Sequence, residues 1–134
     1  SLAPVYDSLI EFNTSGAPAF LQAGALAAIR DGDDFAREMI QRCGQGRELV
    51  LQRLGAMRRV TLARPEGAFY AFFKVAGVTD SLAYAQEVLE RTGVGLAPGI
   101  AFGDAGEGHL RLCFASAPDR LSAAMDRLAS LLDD

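Results

Sequence analysis

Lysine is nearly missing from this chain: twelve of its thirteen basic residues are arginine, and only Lys74 is lysine. Any Schiff-base chemistry would have this one candidate, and an edge-strand lysine with its ammonium in water is the plainer reading of it. Histidine occurs once, as His109, with no Cys, His or Asp at ligand spacing around it. That excludes an ordinary metal site, and with no base beside a nucleophile it leaves Ser–His and Cys–His catalysis without support. Cysteine occurs twice, as Cys43 and Cys113. Two are too few for a disulfide framework, so both are expected as reduced thiols packed in a cytoplasmic protein. No apolar run of about 18 residues is present, hence no membrane span, and no basic-then-apolar stretch opens the chain. With a net charge of −4 and no dense basic patch, nucleic acid is not an expected partner either.

What is present suits a globular domain. Half of the 134 residues are hydrophobic and 22% are charged, an ordinary balance for a chain able to bury a core of its own. Residues 18 to 31 read as a helix opened by Pro18, and its apolar positions run nearly all the way round. A surface helix would carry a stripe instead, so this one is expected to be covered by another domain or chain. Asp33-Asp34 opens a longer helix to about Leu54, with Phe35, Met39, Cys43, Val50 and Leu54 near one stripe and room for a bend at Gly44 and Gly46.

Two strands follow, 59 to 63 and 68 to 75, joined by the turn Arg64-Pro65-Glu66-Gly67 as an antiparallel hairpin. Aromatics on both faces of the second suggest a strand covered on both sides. A helix from Thr79 or Asp80 to Thr92, ended by Gly93, is expected to turn Leu82, Ala85, Gln86 and Leu89 inward. A short strand from Val94 to Ala97 leads to the glycine-rich loop GIAFGDAGEG, and a strand from His109 to Ala115 follows it. The last helix is expected to start with a capping box, Ser116 to Asp119, and to bury Leu121, Met125, Leu128 and Leu132. The fold class is α+β, a small mixed or antiparallel sheet covered by helices, without internal repeats.

The glycine-rich loop does not read as a phosphate cradle, because it leads into a strand and offers no helix N-terminus to an anion. A flexible connection shaping the rim of a site is the plainer reading. The strand after it is more informative. Leu110, Leu112 and Phe114 form one face; His109, Arg111 and Cys113 form the other. Arg111 is central, with no acidic residue beside it in sequence, and an unpartnered guanidinium is costly to bury. From the residues alone, an internal ion pair to an Asp or Glu is the ordinary explanation, and bidentate recognition of a ligand carboxylate is the other. His109 reads as a rim residue.

Taken together, four stretches in order resemble the C-terminal region of class I/II pyridoxal-phosphate aminotransferases of the aspartate aminotransferase fold. They are Phe20 to Gly32, Pro65-Glu66-Gly67-Ala68-Phe69-Tyr70, Gly93 to Gly103, and Gly108-His109-Leu110-Arg111-Leu112-Cys113-Phe114-Ala115. The resemblance implies the small domain of fold-type I pyridoxal-phosphate transferases. Residues 1–32 would pack on a larger domain absent from this chain, and residues 33–134 would form the C-terminal small domain. It implies that Arg111 binds the substrate α-carboxylate, that Phe102 lies near the substrate, and that Asn13, Thr14 and Ser15 approach the partner subunit's site in a homodimer. Amino acids and 2-oxo acids would be the substrates.

The cofactor of that family, pyridoxal 5'-phosphate, would be held by residues of the larger domain. Lys74 does not match the family's cofactor lysine, so no catalytic residue is expected within this chain, and alone it is expected to be inactive. Three alternatives stay open: another enzyme on the same scaffold, such as a lyase, decarboxylase or acyl-transferring synthase; a transcription regulator with an aminotransferase-like domain; or a non-catalytic amino-acid-binding regulatory module.

Overall fold

The computed structural model describes residues 2–133. It divides into two compact units, one running to Met39 and one from Ile40 onward.

The first unit holds helix α1 (Ala3–Asn13), helix α2 (Ala19–Asp31) and the start of helix α3 (Asp33–Gly55). Neither α1 nor α2 has a single buried residue. Phe12 is 87% exposed, Phe20 75% and Ile29 79%, so these helices carry apolar surface that nothing within the described residues covers. Helix α2 matches its expected span, with Pro18 at its N-cap. Helix α1 is an element that the sequence pattern does not announce. Pro4 sits in its first turn, where the missing N–H costs no hydrogen bond. The expected stripe on α3 also fails toward its start, where Phe35 and Met39 are exposed; only Val50 and Leu54, in the second unit, are fully buried.

The second unit is a two-layer α+β sandwich. Its strands are β1 (Val60–Leu62), β2 (Tyr70–Val75), β3 (Ala97–Pro98) and β4 (His109–Cys113), in sheet order β1-β2-β4-β3. All three pairings are antiparallel, with Leu62 opposite Phe73, Phe72 opposite Arg111, and Ala97 opposite Arg111. β3 is shorter than expected and lies at the edge, where Pro98, lacking an N–H, is tolerated. The rest of α3, helix α4 (Ser81–Thr92) and helix α5 (Pro118–Leu132) supply the other layer. The core joins Ala71, Phe73, Val75, Leu110, Leu112 and Phe114 to Leu54, Val88, Leu121, Met125 and Leu128.

Only one sheet face is covered by this layer. Tyr70, Phe72, Lys74, His109, Arg111 and Cys113 lie on the other, half-buried or exposed, so among the described residues β2 is covered on one side only. Cys113 is likewise an exposed thiol, not a packing residue, and Cys43 is half-buried; both are free. Lys74 is exposed, on an interior strand, not an edge strand.

Two further differences have local causes. Helix α4 turns Ser81, Ala85, Val88 and Thr92 inward and leaves Leu82 and Leu89 half exposed. Its inward phase is set by hydrogen bonds: the Ser81 hydroxyl accepts from the Ile100 N–H at 3.0 Å, and the Thr92 hydroxyl donates to the Val88 carbonyl at 2.6 Å. Polar groups so satisfied are at home in a core. Helix α5 forms no capping box. Ala117 is its N-cap, with Pro118 at the first helical position to set the backbone angle.

Helix α3 is continuous through Gly44 and Gly46. Gly46 is instead a contact point: a Cβ there would stand 2.4 Å from the Phe114 carbonyl oxygen. The helix approaches the end of β4 more closely than any side chain would allow.

Candidate functional site

The open sheet face gathers the residues of interest. β4 is an interior strand, and its alternation turns Leu110 and Leu112 into the core while aiming Arg111 outward. The guanidinium carbon of Arg111 lies 4.3 Å from the centre of the Tyr70 ring and 4.3 Å from that of Phe102. Both contacts are at cation–π distance. Two rings therefore hold the guanidinium, and among the described residues no carboxylate pairs with it and no acceptor takes its N–H groups. The arginines that do have acidic partners lie elsewhere, such as Arg64 on Glu48 and Arg91 on Glu87. The internal ion pair that would be the ordinary fate of Arg111 is not formed. A guanidinium with its donors unspent and its position fixed by ring contacts is suited to an anion with two parallel oxygens.

Further rings continue from there. Phe72, directly opposite Arg111 in the ladder, meets Phe102 edge to face at 5.9 Å and 89°. It also stacks on His109 at 4.9 Å and 3°. His109 is half-buried on the open face with Nδ1 3.1 Å from the Glu107 carbonyl oxygen, which fits the rim position expected of it. The sequence singles out Arg111 and Phe102 but not the ring roles of Tyr70 and Phe72. The alternation of aromatics along β2 is a signal that a sequence offers; the register that sets Phe72 opposite Arg111 is not.

Phe102 sits in the glycine-rich segment, which is not the flexible connection expected of it. It folds into two 3₁₀ turns, Gly99–Phe102 and Asp104–Gly106. They interlock through glycines: a Cβ on Gly99 would fall 1.9 Å from the Gly106 oxygen, and one on Gly106 would fall 2.2 Å from the Gly99 oxygen. Glu107 then fastens the segment to α4. Its carboxylate accepts from the Ser81 N–H at 2.6 Å and from the Gly108 N–H at 2.8 Å. These bonds, that from Gly108 first, hold the Glu107 carboxyl below its ordinary pKa.

Asn13, Thr14 and Ser15 lie in the other unit. Asn13 is the last residue of α1, and the hydroxyls of Thr14 and Ser15 donate to the Ile10 and Glu11 carbonyls. Ser15 has a positive φ of 52°, so these three residues form a capped helix end. No group of three His, Cys, Asp or Glu residues gathers to hold a metal ion among the described residues. None of the described helices is long and apolar enough to cross a membrane.

Known proteins similar to this chain share one kind of name. No protein-family model matches it. Over 121 residues it is 40% identical to an LL-diaminopimelate aminotransferase of Nitratidesulfovibrio vulgaris, covering 87% of this chain and 30% of that protein. Over 125 residues it is 37% identical to an aspartate aminotransferase of Pyrococcus abyssi, covering 90% and 32%. Among solved structures, an aromatic aminotransferase from Pyrococcus horikoshii aligns with a TM-score of 0.81 at 34% identity, over 90% of this chain and 33% of that one. The chain thus spans about 30% of the length of the curated relatives it matches. Over that span its fold is similar to that part of the solved aromatic aminotransferase.

Proposed function

We propose that this chain is the substrate-gripping part of a pyridoxal-phosphate-dependent aminotransferase, a transferase that moves an amino group between an amino acid and a 2-oxo acid. In this reading Arg111 binds the substrate α-carboxylate, and Phe102 borders the bound substrate. The observation that carries it is the guanidinium held at 4.3 Å by Tyr70 and Phe102 with no acidic partner among the described residues. Relatives named as aminotransferases for diaminopimelate, aspartate and aromatic amino acids support the class of reaction. Their differing names agree with a grip on a group that all these amino acids share, the α-carboxylate.

The described residues do not fit the cofactor itself. The only lysine, Lys74, is exposed on the open sheet face, and the glycine-rich segment leads into β4 rather than into a helix. The reading assigns the cofactor's lysine and phosphate ligands to the rest of the parent protein. What this chain contributes is orientation: a carboxylate fixed by two parallel charge-assisted bonds is fixed in angle as well as distance.

The reading extends to assembly. The bare apolar surface of α1 and α2 supports residues 1–32 packing on the remainder of the parent protein; that Asn13, Thr14 and Ser15 reach the partner subunit's site in a homodimer rests on the resemblance alone. Two free cysteines agree with a cytoplasmic location.

The test is kinetic and uses the full-length enzyme. Hydrogen bonds to charged groups are worth roughly 1.5–3 kcal/mol each. Arg111→Lys, which loses the planar fork, should therefore lower kcat/KM for amino acids by about tenfold or more. Arg111→Ala should cost further, with cofactor absorbance intact. Amines without a carboxylate should react about equally poorly with both variants and wild type. A folded Arg111→Ala enzyme with near-normal kcat/KM would overturn the assignment.

A further inference from the structure

We infer that Phe72 is a positioning residue for substrate carboxylate binding, acting through Phe102 on Arg111. The inference rests on the reading of Arg111 given above and adds a residue to it.

Phe102 needs support because its own place gives it little. It ends a four-residue 3₁₀ turn, is 48% exposed, and is followed by Gly103 at a φ of 104°. The glycine interlock and the Glu107 bonds fasten the backbone of that segment, but they do not touch the Phe102 ring. Its ring meets the Arg111 guanidinium at 4.3 Å and the edge of Phe72 at 5.9 Å. Removing Phe72 leaves Phe102 leaning on the charge it is supposed to place.

Phe72 is itself well placed to act as a prop. It lies on an interior strand, paired directly with Arg111 of β4 and next to Phe73, the last residue of β2 paired with β1. Its ring is held flat against His109, 4.9 Å away and inclined by 3°. The His109 ring is steadied in turn by the Glu107 carbonyl oxygen, 3.1 Å from Nδ1. At 39% exposure Phe72 adds nothing to the core, which lies on the opposite face of the sheet. A half-exposed aromatic set among the neighbours of an unpaired arginine is better explained by the arginine than by stability.

The experiment is a double-mutant cycle in the full-length enzyme. An aromatic pair is worth enough to move an equilibrium by about three- to tenfold. Phe72→Ala is expected to raise KM for the amino acid and to lower kcat/KM by about that factor, with cofactor absorbance and thermal midpoint near wild type. In a Phe102→Ala background the same substitution should change kcat/KM by less than about twofold, because the ring it props is gone. Phe72→Tyr should restore the wild-type constant. Equal effects of Phe72→Ala with and without Phe102 would overturn the inference, as would no effect on kcat/KM. If Phe72→Ala fails to fold, Phe72→Leu, which keeps the bulk without the ring edge, is carried through the same cycle. If Arg111→Ala is silent, the carboxylate reading itself fails. If Arg111→Ala is damaging and Phe72→Ala silent, only the present inference fails.

Discussion

The Glu107 carboxylate closes the N-terminal turn of α4 by accepting the N–H of Ser81 at 2.6 Å. The same oxygen takes the N–H of Gly108, so one ionised group ties the segment carrying Phe102 both to a helix and to the start of β4. A negative charge at a helix N-terminus is favoured by the exposed N–H groups there.

This fastening should be visible as a pH dependence. Because the carboxyl titrates below its ordinary 4.5 when folded, its contribution is complete above that value. It is lost as the pH falls through the lowered native value. Glu48, held down chiefly by its hydrogen bonds to Arg64, loses stability in the same range, so the difference between wild type and Glu107→Gln isolates the effect. At neutral pH Glu107→Gln should unfold at a lower temperature than wild type. The gap should narrow steadily below about pH 4.5. A gap that stays constant from neutral to strongly acidic pH would show that the charge on Glu107 is irrelevant.

Gly44 and Gly46 should respond oppositely to alanine. A methyl added at Gly44 would have no atom within 4 Å, whereas one at Gly46 would meet the Phe114 carbonyl oxygen at 2.4 Å. Gly44→Ala should stabilise by about 1 kcal/mol through helix propensity. Gly46→Ala gains the same propensity but forces overpacking that typically costs about 1–3 kcal/mol. Urea titrations of both variants would settle the signs; stabilisation by Gly46→Ala would mean that α3 and β4 are not in close contact.

Lys74 should not act as a cofactor lysine. Its side chain is exposed on the open face of the sheet. The isolated chain, mixed with pyridoxal phosphate and gel-filtered, is expected to retain no aldimine absorbance. A retained band that borohydride fixes to Lys74 would be the contrary result.

The isolated chain should also associate with itself or take up apolar dyes. Each large apolar side chain left bare on α1 and α2 forgoes roughly 1.5–3 kcal/mol of burial, and Phe12, Phe20 and Ile29 are among the most exposed. Light scattering is expected to show species larger than a monomer, reduced by Phe12→Ser with Ile29→Ser. A clean monomer that binds no dye would count against a covered role for the first 32 residues.

How much of the molecule is legible in its sequence depends on the kind of regularity involved. The strand alternation of β4 separates Leu110, Leu112 and Phe114 from His109, Arg111 and Cys113 correctly, because a period of two admits no intermediate phase. Helix α4 is legible in extent and not in facing. Hydrophobicity favours Leu82 and Leu89, but the hydrogen bonds of Ser81 and Thr92 decide the phase. The cap of α5 departs from expectation for a similar reason: Ser116 has the right chemistry, and Pro118 sets the start of the helix. At the site, Arg111 and Phe102 are legible through resemblance. Tyr70 and Phe72 need the register between β2 and β4, which the pattern of one strand does not contain.

A sheet backed by helices on one side only behaves like the jaw of a vice, with a stiff backing plate and a bare gripping surface. Leu110 and Leu112, sunk into the backing, alternate along the same strand with the arginine on the gripping surface. Wear on the backing would therefore be felt at the grip. If Arg111 grips a carboxylate as proposed, a substitution deep in the core that tilts β4, made with no thought of chemistry, is expected to turn up as poorer hold on small molecules before it turns up as unfolding.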